Sequence, residues 1–190
     1  RIVPGAKTIP EVSYREMAEL SYFGAKVLHP KAVRPVVEAG IPLRICNTFK
    51  PEEKGSFVVK EKDADAPQIT NSQQVIKAVT AIPHQRMVTV EGRGMLGVPG
   101  VAARTFGAVA ATGTSVPLIT QASSEQSISF SVPSDSADAV LNSLQKVFAT
   151  EISQRDIDRI WATDDVAIIT AVGSGLQCTP GVAGQIFSAL

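Results

Sequence analysis

Two cysteines, two histidines and 5% aromatics are sparse material for reactive chemistry in a chain of 190 residues. Cys46 and Cys178 form no C-x-x-C pair and no disulfide framework, which fits a reducing compartment and excludes a zinc motif built on paired cysteines. Charge of one sign is missing too, because 18 Lys and Arg balance 18 Asp and Glu. Without a net field the electrostatic footprint of a nucleic-acid or membrane-surface binder is absent, and any anion has to be bound locally. No apolar run approaches the roughly 20 residues that span a bilayer. The start, from Arg1 to Gly5, lacks a charged segment followed by an apolar one, so no membrane partner is expected and the chain reads as soluble and cytoplasmic. It also lacks an initiator Met, so a natural N-terminus is not expected at Arg1. What is present is 44% hydrophobic and 19% charged residues, enough to bury a core in one domain or two small ones, which excludes intrinsic disorder and a collagen-like chain.

The first helix signal is the capping box Ser13-Tyr14-Arg15-Glu16, followed by Met17, Leu20, Phe23 and Val27 at helical spacing. Pro30 and Pro35 bracket a shorter helical segment that Gly40 ends, and Ile41 to Asn47 alternates as a strand. This has the look of the tail of an α/β unit. From Lys50 to Asn71 charge, Pro, Gly and small polar residues dominate, interrupted by Phe57-Val58-Val59, and the stretch reads as a connector between domains.

An internal repeat follows. Thr89, Gly92, Gly94, Pro99, Gly100, Val101, Ala102, Phe106 and Ala108 recur at one constant offset as Thr170, Gly173, Gly175, Pro180, Gly181, Val182, Ala183, Phe187 and Ala189. Each copy reads as a strand, a glycine-containing loop and a helix opened by Pro-Gly. In the first copy a helix from Val101 to about Thr112 stops at Gly113. Ser115 to Gln121 and Ser127 to Val132 read as strands, Asp135 to Phe148 as an amphipathic helix, and Arg159 to Ala162 as a last strand. The order β-α-β-β-α-β predicts a ferredoxin-like α+β module. The second copy stops inside its first helix, so the chain is expected to be a fragment of a longer protein.

Gly92-Arg93-Gly94-Met95-Leu96-Gly97 matches G-x-G-x-x-G and offers a dinucleotide reading. Against it, the helix opens only at Pro99-Gly100, the next strand ends in Gln121 rather than an acid, and the second copy has no third glycine. The competing reading is a tight loop whose backbone N–H groups are free at a helix start, a pocket for the carboxylate of a small ligand. Gln121, Ser123, Ser124, Glu125 and Gln126 form a polar cluster between two strands, either a ligand contact or a plain hairpin turn. His29 and His84 have no carboxylate or cysteine nearby in sequence and read as structural, Trp161 reads as core or interface, and Lys26 as a solvated lysine. No nucleophile, acid–base or metal constellation is apparent.

Glu19 to Pro30, with the string FGAKVLHP, and Ile41 to Phe49, with Pro51 to Gly55, closely resemble the end of the catalytic domain of aspartate kinases. The repeat resembles their paired regulatory ACT domains. The resemblance implies a ferredoxin-like βαββαβ ACT fold attached to the C-terminal remnant of an amino-acid-kinase α/β domain. It divides the chain into residues 1–60 of the catalytic domain, a connector at 61–80, a first ACT domain at 81–163 and the start of a second at 164–190. The family transfers a phosphoryl group from MgATP to the β-carboxylate of aspartate, ahead of lysine, threonine and methionine synthesis. By position Arg1 and Lys26 resemble residues that contact ATP phosphates, where a cation stabilises the transferring group. The family's N-terminal lysine and glycine motif and its aspartate-binding residues are missing from this sequence, so no catalytic residue and no cofactor are expected in it, and no kinase activity of the chain by itself.

Its content is then regulatory. Met95, Val98, Gly100, Ala102, Ser115, Val116 and Pro117 resemble effector-lining residues, and Gln121 the glutamine of threonine-sensitive members. Lysine-sensitive members tend to carry an aspartate where this chain has Pro117. LITQASSE and SISFSVP look most like threonine-regulated, often bifunctional members that also carry homoserine dehydrogenase. The expected partners are therefore threonine, with lysine as the alternative, and a second copy of the chain joined through ACT strands.

Overall fold

The computed structural model describes residues 3, 5–25, 27–60, 75–173, 176 and 179–190. They fall into two compact units, one of residues 1–81 with 169–190 and the other Ile82–Ile168.

In the first unit the Ser13 capping box forms as the sequence predicts. Ser13 Oγ accepts the Glu16 N–H (3.2 Å) and Glu16 Oε2 accepts the Ser13 N–H (2.9 Å), so two orphan donors of the helix start are satisfied reciprocally. The box joins strand β1 (Glu11–Ser13) to helix α1 (Tyr14–Tyr22). Helix α2 (Pro30–Glu38) is N-capped by His29, whose Nδ1 accepts the Lys31 N–H, and Pro35 lies inside the helix rather than at its end. The predicted 41–47 strand shrinks to β2 (Leu43–Ile45).

The supposed connector contains a strand. β3 (Ser56–Val59) is the central strand of a sheet ordered β1-β3-β2, parallel to β1 and antiparallel to β2. Val58 is fully buried there, in a cluster with Val12, Met17, Leu20 and Val33. The apolar run at 57–59 was the signal, and the charged residues around it masked it. Lys77 Nζ reaches Glu16 Oε2 (2.9 Å), so the capping carboxylate also holds an ion pair.

The second unit has the predicted order. Strand β4 (Ala78–Glu91) enters it, followed by α3 (Val101–Ala110), β5 (Ile119–Gln121), β6 (Ser127–Pro133), α4 (Ala137–Val147), α5 (Ala149–Gln154) and β7 (Arg159–Ala162). The antiparallel sheet is ordered β5-β6-β4-β7, the ferredoxin-like arrangement. Its core holds Val88, Val90, Ile128, Phe130, Val132, Val140, Leu144 and Phe148, all at most 1% exposed. Phe106 meets Phe130 edge-on at 5.5 Å between centroids.

β5 is shorter than the predicted 115–121. Pro117 has no N–H to give a ladder, and the Leu118 N–H goes to the Ser131 hydroxyl (3.1 Å). The short helix α5 was not foreseen; it ends at Arg155 in the left-handed region (φ 63°), without the glycine that would have announced it. Beyond it lie β8 (Val166–Val172) and α6 (Val182–Ser188), the second copy of the repeat.

Candidate functional site

The loop between β4 and α3 is built on backbone contact. Gly92 is extended (φ 179°), and a Cβ there would lie 2.2 Å from Asp156 O and 2.5 Å from Ile157 Cα. A Cβ on Gly94 would lie 2.5 Å from Asp156 Cα. These two glycines exist so that the segment entering β7 can lie directly on the loop.

The same segment and the β5–β6 hairpin consume the loop's donors. The N–H groups of Gly92, Gly94 and Met95 go to Gln126 O (3.0 Å), Asp156 O (3.0 Å) and Gly92 O (3.1 Å). Arg93 N–H goes to Asp158 Oδ2 (3.2 Å) and Gly97 N–H to Glu125 Oε2 (3.3 Å). The amides of Gly92, Arg93, Gly94, Met95 and Gly97 are therefore bonded within the protein, so the free N–H groups expected of this loop are left to the helix start. What stays uncapped is the start of α3: Gly100 is left-handed (φ 87°) with no side chain bonded to the first turn, whose N–H groups have no intrahelical acceptor.

Around that start, Val98 (50% exposed), Gly100 and Ala102 face outward, whereas Met95 (4% exposed) packs into the core instead of an open surface. Gln121 ends β5 and is exposed. Gln121 and Val90 share the partner Ile128 on β6, so Gln121 lies at the same end of the sheet as the glycine loop. Ser115, Val116 and Pro117 follow the far end of α3 instead. Ten helical residues separate the two groups, about 15 Å of axis, so one module does not bring them to a single small ligand. Arg1 and Lys26 lie outside the described residues.

A groove with a volume of about 270 Å³ opens beside the loop. Gly92 is part of its lining, with Glu91, Arg93 and Asp158 from the strand ends and Ser124, Gln126 and Ser127 from the hairpin. Glu91 accepts from Arg159 Nε and from Trp161 Nε1 (3.3 Å), and Arg159 stacks on the Trp161 ring (4.9 Å). The Arg159 hydrogen bond holds the Glu91 carboxyl below its ordinary value. Sequence reasoning found the hairpin residues Ser124 and Gln126, but Glu91, Arg93 and Asp158 are brought to them only by strand pairing.

His84 has a partner that sequence proximity hid: Asp165 Oδ2 lies 3.2 Å from its Nδ1, and Asp165 Oδ1 accepts the Ser134 hydroxyl. Ser134 and His84 together hold the Asp165 carboxyl low. From α3, Arg104 covers the Phe148 ring at 4.6 Å and pairs with Glu151. No group of three or more metal-ligating side chains occurs among the described residues.

A ferredoxin-like module with an open Pro-Gly helix start, following a kinase-like α/β segment, defines the class: an amino acid kinase segment joined to an ACT domain. The ACT domain family matches residues 88–148 and the amino acid kinase family residues 1–47. The chain is 41% identical, over all 190 of its residues, to the bifunctional aspartokinase/homoserine dehydrogenase of Haemophilus influenzae, and covers 22% of that protein. It is 38% identical over its whole length to bifunctional aspartokinase/homoserine dehydrogenase 2 of Arabidopsis thaliana, covering 20%. It thus spans about a fifth of the length of the relatives it matches. Clostridium acetobutylicum aspartate kinase superposes on the whole chain with a TM-score of 0.80 at 29% identity, the chain covering 42% of it. Escherichia coli aspartokinase III, solved with lysine and aspartate, gives 0.71 at 28% identity over the whole chain and 40% of its own. The chain belongs to the aspartokinase family.

Proposed function

We propose that this chain is the amino-acid-sensing, feedback-regulatory portion of an aspartate kinase that phosphorylates L-aspartate with ATP and Mg. The observation that carries the reading is the uncapped start of α3 at left-handed Gly100, exposed at the end of the sheet where β5 ends in Gln121. Orphan N–H groups and the helix dipole suit a ligand carboxylate, and Gln121 offers a donor and an acceptor to a polar side chain. Residues 115–117 lie a helix length away, so a complete pocket takes them from a facing module, and a homodimer through ACT strands supplies one.

Threonine is the preferred effector, because Gln121 matches a hydroxyl and Pro117 leaves a cationic side chain without a counter-charge; lysine is the alternative. An effector that binds one arrangement of the modules better than another shifts the kinase toward it. The proposed division is a catalytic-domain end at 1–60, a connector at 61–80, a first ACT domain at 81–163 and the opening of a second at 164–190, in a cytoplasmic protein. Arg1 and Lys26 are assigned to ATP phosphates by resemblance.

A thermal-shift series with threonine, lysine, methionine and NADPH tests this. A ligand at about 100 times its dissociation constant stabilises the native state by about 2.7 kcal/mol. Threonine should raise the midpoint, and Gln121→Ala should reduce the shift. A shift with lysine in its place overturns the effector assignment, and no shift with any amino acid overturns the sensor.

A further inference from the structure

The groove beside the glycine loop shares no residue with the effector positions above, and its chemistry points to a ligand of its own. Its volume of about 270 Å³ falls just under the roughly 300–1,000 Å³ of pockets for drug-sized ligands, too small for a nucleotide and sufficient for a small metabolite. Charges of both signs line it. Arg93 is 86% exposed and forms an ion pair with Asp158, its Nε 3.6 Å from Oδ2, a contact too long for a hydrogen bond. Its five guanidinium donors are therefore open to a planar anion. Asp158 spends Oδ2 on the Arg93 backbone and keeps Oδ1. Ser124, Gln126 and Ser127 make no side-chain hydrogen bond among the described residues, so three neutral polar groups also face the groove unspent.

Two carboxylates in the lining disfavour a simple anion such as phosphate, and Arg93 disfavours a bare cation. We propose that this groove is a second binding site, for a small zwitterion. Its carboxylate is held by Arg93 with the Ser124 and Ser127 hydroxyls, and its ammonium by Asp158 Oδ1. A free α-amino acid is the simplest molecule with that pair of charges. The site goes beyond the sensor reading and rests on it only for the choice of probes.

The test is a backbone amide NMR titration of the chain with L-threonine and L-lysine, and separately with acetate and methylamine, which carry one charge each. Either amino acid should shift the amides of Arg93, Ser124, Gln126, Ser127 and Asp158 with one common dissociation constant, and the single-charge probes should bind roughly tenfold or more weakly. Arg93→Ala should weaken the groove response about tenfold or more, and Gln121→Ala should leave it unchanged. Asp158 also holds the Arg93 amide, so Ser124→Lys on the exposed hairpin tip serves as the second blocking variant. Shifts confined to Val98, Gly100, Ala102 and Gln121 overturn this proposal and leave the sensor reading standing. Groove shifts produced equally by acetate overturn the zwitterion, and silence at both places overturns both.

Discussion

Replacing Gly94 with alanine separates a packing role of the glycine loop from a phosphate-binding one. The new Cβ would lie 2.5 Å from Asp156 Cα and 2.7 Å from Asp156 Cβ, roughly an ångström inside ordinary van der Waals contact. The nearest obstacle is backbone, so no side chain can swing away, and the loop has to move off the segment that enters β7. That segment is pinned by two bonds, Gly94 N–H to Asp156 O (3.0 Å) and Asp158 N–H to Glu91 O (2.9 Å). Overpacking of this kind costs about 1–3 kcal/mol, the displaced loop bonds included. A loss near 2 kcal/mol lowers the melting temperature by roughly 8–16 °C in a unit of this size.

Gly107→Ala is the internal control. It sits inside α3 with nothing within 4 Å of its Cβ, and alanine is favoured there by roughly 0.5–1 kcal/mol. Differential scanning calorimetry on both variants should therefore move the midpoint in opposite directions. A Gly94→Ala protein that melts with the wild type refutes the packing argument and returns the glycines to a ligand-binding role.

Two further outcomes follow from single contacts. Ser13→Ala removes the acceptor for the Glu16 N–H and should cost about 1 kcal/mol in urea denaturation of the first unit; an unchanged midpoint would mean that α1 is held by packing alone. Asp165 is held below its ordinary 3.8 by the Ser134 hydroxyl first and by His84 second. A depressed carboxylate stabilises the fold above its unfolded-state pKa, and that contribution is lost as pH falls through the folded one. The urea midpoint of the wild type should then exceed that of Asp165→Asn at pH 7, with the gap closing below pH 3.8, and a gap constant across this range would refute the assignment.

How legible the fold was depended on whether the signal was local. The Ser13 capping box, the Pro-Gly helix starts and the Arg159–Ala162 strand are written in a few adjacent residues and form as expected. Strand β3 was hidden, since three apolar residues among Pro, Glu and Lys match a loop until two other strands flank them. Gln121 was legible as a strand end at a polar turn. The groove was not, because Glu91 and Asp158 meet only through the β4–β7 pairing. The spent amides of the loop were equally out of reach, their acceptors coming from Gln126, Asp156 and Asp158.

The repeat runs deeper than its visible residues. Gly100 and Gly181 open α3 and α6 with nearly the same left-handed torsion, φ 87° and 85°. The first glycine of each copy is also packed alike: a Cβ on Gly92 would strike Asp156 O at 2.2 Å and Ile157 Cα, and one on Gly173 would strike Val75 O at 2.0 Å and Ile76 Cα. Asp158 N–H bonds Glu91 O (2.9 Å) as Lys77 N–H bonds Val172 O (2.8 Å). Every one of these pairs is separated by the offset that relates the two copies. Residues 75–81 are therefore to the second copy what 156–162 are to the first, the segment that lies on its glycine loop and leads into a strand. The second copy draws that element from sequence that precedes the first, which explains why Val75–Ala81 falls in one unit with Ile169–Leu190.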